Sequence, residues 1–120
     1  MKSFSFLLLI IFLIGSTAGC ARGEKFGEKI TVAEVSKVKD IFTDSDKYVG
    51  KTIKVEGKII QECPSGCWFY LKDETETIYV DLLPSGLVIP QRVGAEVVVE
   101  GELSSRGGRI EIVGKGVEVK

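Results

Sequence analysis

Histidine and asparagine are missing altogether from the 120 residues, and glutamine occurs only at Gln61 and Gln91. Without an imidazole the chain has no means of building a Ser-His-Asp triad, a Cys-His nucleophile pair, a His-ligated zinc or a His-ligated haem. Most hydrolytic chemistry is thereby set aside, and no cofactor or metal is expected. The scarcity of amides beside abundant Lys, Glu, Val and Ile is a bias found in heat-adapted proteins. An excess of positive charge is also lacking: the formal net charge is −1. Nucleic-acid-binding domains are usually strongly basic, so a dominant polyanion-binding role is disfavoured.

Only one long apolar run is present, the eleven-residue block from Phe4 to Ile14 behind the single cation Lys2. It is too short for a membrane span of about 20 residues but has the length of a signal-peptide core. Small residues follow from Gly15 to Gly19, and then Cys20. This junction resembles the lipobox of bacterial lipoproteins, which implies cleavage before Cys20 and lipid on its sulfur. Thr17 stands where that pattern carries Leu, so an ordinary signal peptide and an uncleaved anchor remain open beside it. Two acyl chains on Cys20 would suffice for stable anchoring.

The expected organisation is a signal peptide over residues 1–19, a polar tether over 20–29 and one domain over 30–120. Without residues 1–19 the chain has 101 residues, enough for a single modest core. Lys2 is the only charge in that segment, so 15 basic and 17 acidic side chains remain and the formal charge becomes −2.

Ile30 to Val38 reads as a strand-like lead-in, although Thr31 with Glu34 also fits a capping box. A short helix is expected at Val38 to Thr43, ended by a turn at Asp44-Ser45-Asp46. From Lys51 onward the apolar period becomes two residues. Five runs result: Lys51 to Gln61, Trp68 to Asp73, Thr77 to Leu83, Ala95 to Leu103 and Arg109 to Val119, the last bent near Gly114 and Gly116. The connection from Pro84 to Gly94 is longer than a hairpin requires.

Five short strands, with Gly57 curving the first and a long third connection, are the elements of an all-β, five-stranded OB-fold-like barrel with a short N-terminal helix. Another small β-barrel or an SH3-like meander is the competing architecture. The stretch Asp46-Lys47-Tyr48-Val49-Gly50-Lys51-Thr52-Ile53, continuing to Ile59, resembles the opening of OB-fold domains related to the tRNA-anticodon-binding class. Gly66-Cys67-Trp68, Leu71-Lys72-Asp73, Ile78 to Asp81, Val88-Ile89-Pro90 and Val97 to Gly101 are similar to a family of exported bacterial OB-like domains of unknown function. The resemblance covers Lys39 to Val119. It implies fold, and no activity.

With Cys20 assigned to lipid, Cys63 and Cys67 form a pair across Pro64-Ser65-Gly66. In an oxidising compartment a disulfide is the simplest expectation, stapling the connection between the first two strands. A strained, exposed bond would be easier to reduce, so a thiol-disulfide redox partner is a second reading. Metal binding is a third, but two thiolates need two further ligands.

OB-folds present ligands on the second and third strands and on the loops joining strands one to two and four to five. Cys63 to Cys67 would be the first of those loops, and Ser104 to Arg109, with Arg106 and Arg109, the second. Trp68, Tyr70 and Tyr79, beside Lys54, Lys58 or Lys72, are candidates for stacking on bases, sugars or a partner's side chains. The competing interpretation is that these rings are core, with Phe42 and Tyr48 as covers. Asp73, Glu74 and Glu76 read as solvated turn charge. The function expected is therefore a non-catalytic module, membrane-anchored through lipid and facing the periplasm or the cell surface, that binds an envelope protein or glycan. Single-stranded nucleic-acid binding is the alternative.

Overall fold

Alternating burial along the strands is what closes this chain into a barrel. In the computed structural model, which describes residues 23–120, the elements run β1 (Glu24–Gly27), α1 (Val38–Thr43), α2 (Ser45–Tyr48), β2 (Thr52–Glu62), β3 (Trp68–Lys72), β4 (Thr77–Asp81), β5 (Glu96–Arg106) and β6 (Arg109–Val119). In β2, Ile53, Val55, Gly57 and Ile59 point inward while Thr52, Glu56 and Lys58 face solvent, as the pleat requires of a half-buried strand. Lipidation at Cys20 lies outside the described residues. Among the described residues no helix is long and apolar enough to cross a membrane.

β2 pairs antiparallel with both β3 and β5, β3 with β4, and β5 with β6. The ring is completed by a parallel pairing of β4 with β6 at Val80↔Ile112 and Asp81↔Val113. This is the closed five-stranded mixed barrel expected, with β1 as a sixth strand. Phe69, Leu71, Ile78, Val80, Leu103 and Ile112 fill it, and Val38 and Ile41 of α1 join the same cluster. At Gly57 a Cβ would stand 2.4 Å from the Lys72 carbonyl oxygen, so only glycine lets β2 curve that closely over β3. The bend foreseen in β6 is a register shift opposite Glu100/Gly101, which leaves Lys115 between Gly116 and Gly114.

Two expectations are corrected. Within the segment expected as a tether over residues 20–29, Glu24–Gly27 is a strand, pairing with β6 from Glu24↔Val119 to Gly27↔Gly116. Their polarity hid a strand whose stability comes from the β6 edge. Ser45–Tyr48, in part read as turn, is a single helical turn with Val49 N–H donating to the Ser45 carbonyl.

Asp73 is a further difference, being buried rather than solvated. Its Oδ2 accepts from the Val38 N–H at 2.9 Å, and Oδ1 accepts from the Thr75 N–H, the Thr75 hydroxyl and the Glu76 N–H at 2.5–2.9 Å. One carboxylate thus closes the β3–β4 turn and holds the start of α1 against it. Burial opposes the charge, but these donors outweigh it and hold the acid below its usual range. Asp73→Ala should lower stability by about 2–4 kcal/mol, since four donors lose their acceptor. For a depressed carboxylate the contribution is complete above the unfolded pKa of about 3.9 and disappears as pH falls through the folded value. Urea unfolding of both proteins should therefore show a constant gap at neutral pH that narrows below about pH 4; a gap independent of pH would contradict the charge assignment.

Candidate functional site

Trp68 and Tyr70 occupy alternate positions of β3, and Tyr79 sits opposite Tyr70 on β4, so the pleat delivers three rings to one outer face. They pack on one another: Trp68 to Tyr70 at 5.8 Å between centroids and 78°, Trp68 to Tyr79 at 5.7 Å and 34°, Tyr70 to Tyr79 at 5.3 Å and 66°. All three are half-buried. The buried aromatic is Phe69, at the alternate phase of the same strand. Of the residues expected to cover the trio, Phe42 is itself exposed and Tyr48 packs against the barrel core.

The β5–β6 hairpin adds charge to this face. The Arg109 guanidinium lies 4.1 Å from the Tyr79 ring centroid, a cation–π contact. Arg106 approaches Asp81 at 3.7 Å and Glu111 at 3.5 Å, while Arg109 approaches Glu111 at 3.4 Å. These separations neutralise charge but exceed a hydrogen bond. Asp81 and Glu111 are buried whereas about half of each arginine side chain is exposed, leaving guanidinium donors turned to solvent above fixed carboxylates. Burial, with the Asp81 carboxylate, pushes the Tyr79 phenol up past the opposing pull of Arg109, so it stays protonated at neutral pH.

Trp68, Tyr70, Tyr79, Arg106 and Arg109 are thus brought together, and Lys72 shares the face of β3 at its far end. Lys72 lines an open cleft of about 540 Å³ with Glu56, Lys58, Glu74 and Glu96, a lining of mixed charge. Lys54 stands apart. It pairs across to Glu100 on β5 and forms an isolated bridge with Val35 of the lead-in. Asp81 and Glu111 were not singled out beforehand, although each lies two residues from a candidate, Tyr79 or Arg109, and the two-residue period places them on the same face.

The turn before β3 is tightly held. Cys63 N–H donates to the Trp68 carbonyl, Gly66 N–H to Cys63, and Ile89 N–H of the β4–β5 connection to Gly66. Gly66 has φ +76°, and a Cβ there would sit 2.0 Å from the Ile89 carbonyl oxygen. No disulfide joins the cysteines; they are thiols with Sγ atoms 3.0 Å apart, Cys67 donating to Cys63, and Ser65 Oγ 3.1 Å from Cys63. The turn brings the sulfurs together without the bond, whose length would be about 2.05 Å. The hydrogen bond from Cys67, then that from Ser65, lowers the Cys63 thiol to about 6, while Cys67 is raised because it holds the shared proton.

Arranged so, the face is a rigid aromatic platform edged by open donors, on the strands and loops with which OB barrels meet ligands. The barrel is similar to a solved structure described as the hypothetical protein ygiW from E. coli, with a TM-score of 0.59, 19% identity, and coverage of 78% of this chain and 98% of that one. At that identity the likeness establishes an OB-fold-like barrel, and no role or ligand. No family model and no curated protein matches the chain.

The thiol geometry is directly testable. Iodoacetamide should modify Cys63 of the reduced protein with a pH midpoint near about 6, well below the usual thiol value of about 8.5. A midpoint at the ordinary value for both cysteines would remove the hydrogen-bonded thiolate.

Proposed function

We propose that this chain is an exported, lipid-anchored OB-fold module that binds an envelope ligand, preferentially a glycan, and does not transform it. The observation that carries the proposal is the trio Trp68, Tyr70 and Tyr79, half-exposed and locked in mutual contact beside Arg109. Such rings bury the apolar face of a sugar at low entropic cost, and the half-exposed guanidinium groups at their edge match its hydroxyls. Export is supported by the lipobox-like junction at Cys20. In an oxidising compartment Cys63 and Cys67 would close to a disulfide with loss of two protons and two electrons to the resident disulfide oxidants. Binding without turnover is favoured because Asp81 and Glu111 both face arginines rather than an open reaction cleft.

Trp68 is the only tryptophan of the chain, so its fluorescence reports on the platform. Titration with soluble envelope oligosaccharides should shift its emission. Tyr79→Ala should weaken binding by about 1–3 kcal/mol, the scale of one stacked ring, with the thermal midpoint changed little. A collapse of stability in Tyr79→Ala would make the ring core. Binding of oligonucleotides that weakens steeply with salt, with no response to sugars, would favour the nucleic-acid alternative.

A further inference from the structure

The connection from Leu82 to Ala95 does not read like a surface loop. It is LLPSGLVIPQRVGA, fourteen residues without one carboxylate in a chain that has 17. Leu83, Val88 and Val93 are 63%, 60% and 62% exposed, the three most exposed large apolar side chains among the described residues. Ile60, 44% exposed on β2, lies near Val93, because Ile59 N–H donates to the Ala95 carbonyl and Gly94 N–H to Ile59. Three strongly exposed apolar side chains within the eleven residues from Leu83 to Val93 make this connection an apolar crest, the kind of surface that meets a partner or a membrane where its side chains lie together.

The position of β1 says what. Glu24, its first residue, is ion-paired to Arg92 of this connection at 2.6 Å, and a Cβ on Gly27 would strike Leu87. β1 therefore lies along the crest. Only residues 21–23 separate Glu24 from Cys20, and four extended Cα steps span at most about 14 Å. With lipid on Cys20, Glu24 is held within that distance of the bilayer surface, and Arg92 of the connection with it; the headgroup layer is itself about 5–8 Å thick.

We infer that the β4–β5 connection docks on the lipid surface, with Leu83, Val88 and Val93 entering the headgroup region; this rests on the lipid anchor proposed at Cys20. The segment itself carries no carboxylate, and its one cation, Arg92, is neutralised by Glu24, so docking rests on the apolar side chains rather than on attraction to an anionic leaflet. The docked barrel presents its ligand face side-on. Trp68, joined to the connection through the Leu82 N–H to Cys67 carbonyl bond, stands at the membrane end, whereas the Gly107-Gly108 turn of the hairpin lies five residues before the Asp81↔Val113 pairing, with Arg106 reaching back to Asp81.

The test uses full-length protein extracted from membranes and reconstituted into phosphatidylcholine–phosphatidylglycerol vesicles with brominated acyl chains, which quench nearby tryptophan. In a Trp68→Phe background, single reporters are placed by Val88→Trp, Val93→Trp and Ser105→Trp, all at exposed positions. Docking predicts quenching of about twofold or more for the first two relative to unbrominated vesicles, and none for the hairpin reporter. Intact mass is measured on the same samples. Acylated protein whose loop reporters are unquenched, or quenched no more than Ser105→Trp, overturns docking and leaves the anchor standing; absence of acyl mass overturns both.

Discussion

The parallel pairing of β4 with β6 is the contact on which the rest of the molecule depends. It involves Val80 with Ile112 and Asp81 with Val113, yet it turns an open five-stranded sheet into a barrel. It encloses Phe69, Leu71 and Leu103, and on the outside it sets Tyr79 and Asp81 beside Glu111 and the hairpin arginines. Core and candidate site are two sides of the same pairing. A change that loosened this seam would be felt in both, which is why the aromatic face is better regarded as an outgrowth of the barrel than as an attachment to it.

Carboxylates of the barrel hold the irregular segments to this frame. Asp73 ties the β3–β4 turn to α1. Glu100 accepts from the Thr31 and Val32 N–H groups at 2.9 and 2.6 Å, fixing the lead-in across β2 and β5. Glu62 accepts from Arg92 and Val93 at 2.5 and 2.9 Å, and its second oxygen is buried without a partner. In each case an acid on the barrel receives backbone donors from a segment with few ladder bonds of its own. Charge-assisted bonds of this type are worth more than neutral ones, so a few anchors suffice.

Much of this was readable in the chain itself. The period of two in β2 and β4 named the inward residues, the length of Pro84 to Gly94 marked the unusual connection, and Trp68, Tyr70 and Tyr79 were placed on one face by alternation alone. What escaped depends on partners distant in sequence. Glu24–Gly27 has no strand pattern of its own, because its pairing is supplied by the end of β6. Asp73 looks like any turn acid until α1 is laid over it. Lys54 seems equivalent to Lys58 until the lead-in bridges to it. The state of the Cys63/Cys67 pair is set by proton and electron supply, which no spacing encodes.

The place of β6 in the ring governs how the fold is acquired. It pairs with β5 along its length, with β4 near its start and with β1 at its end, and it follows every one of them in sequence. No subset of the earlier strands encloses the core. Assembly must await the C-terminal segment, then join partners separated by most of the chain, a topology associated with slow, all-or-none folding. The barrel is thus built to close in one step, when β6 meets all of its partners.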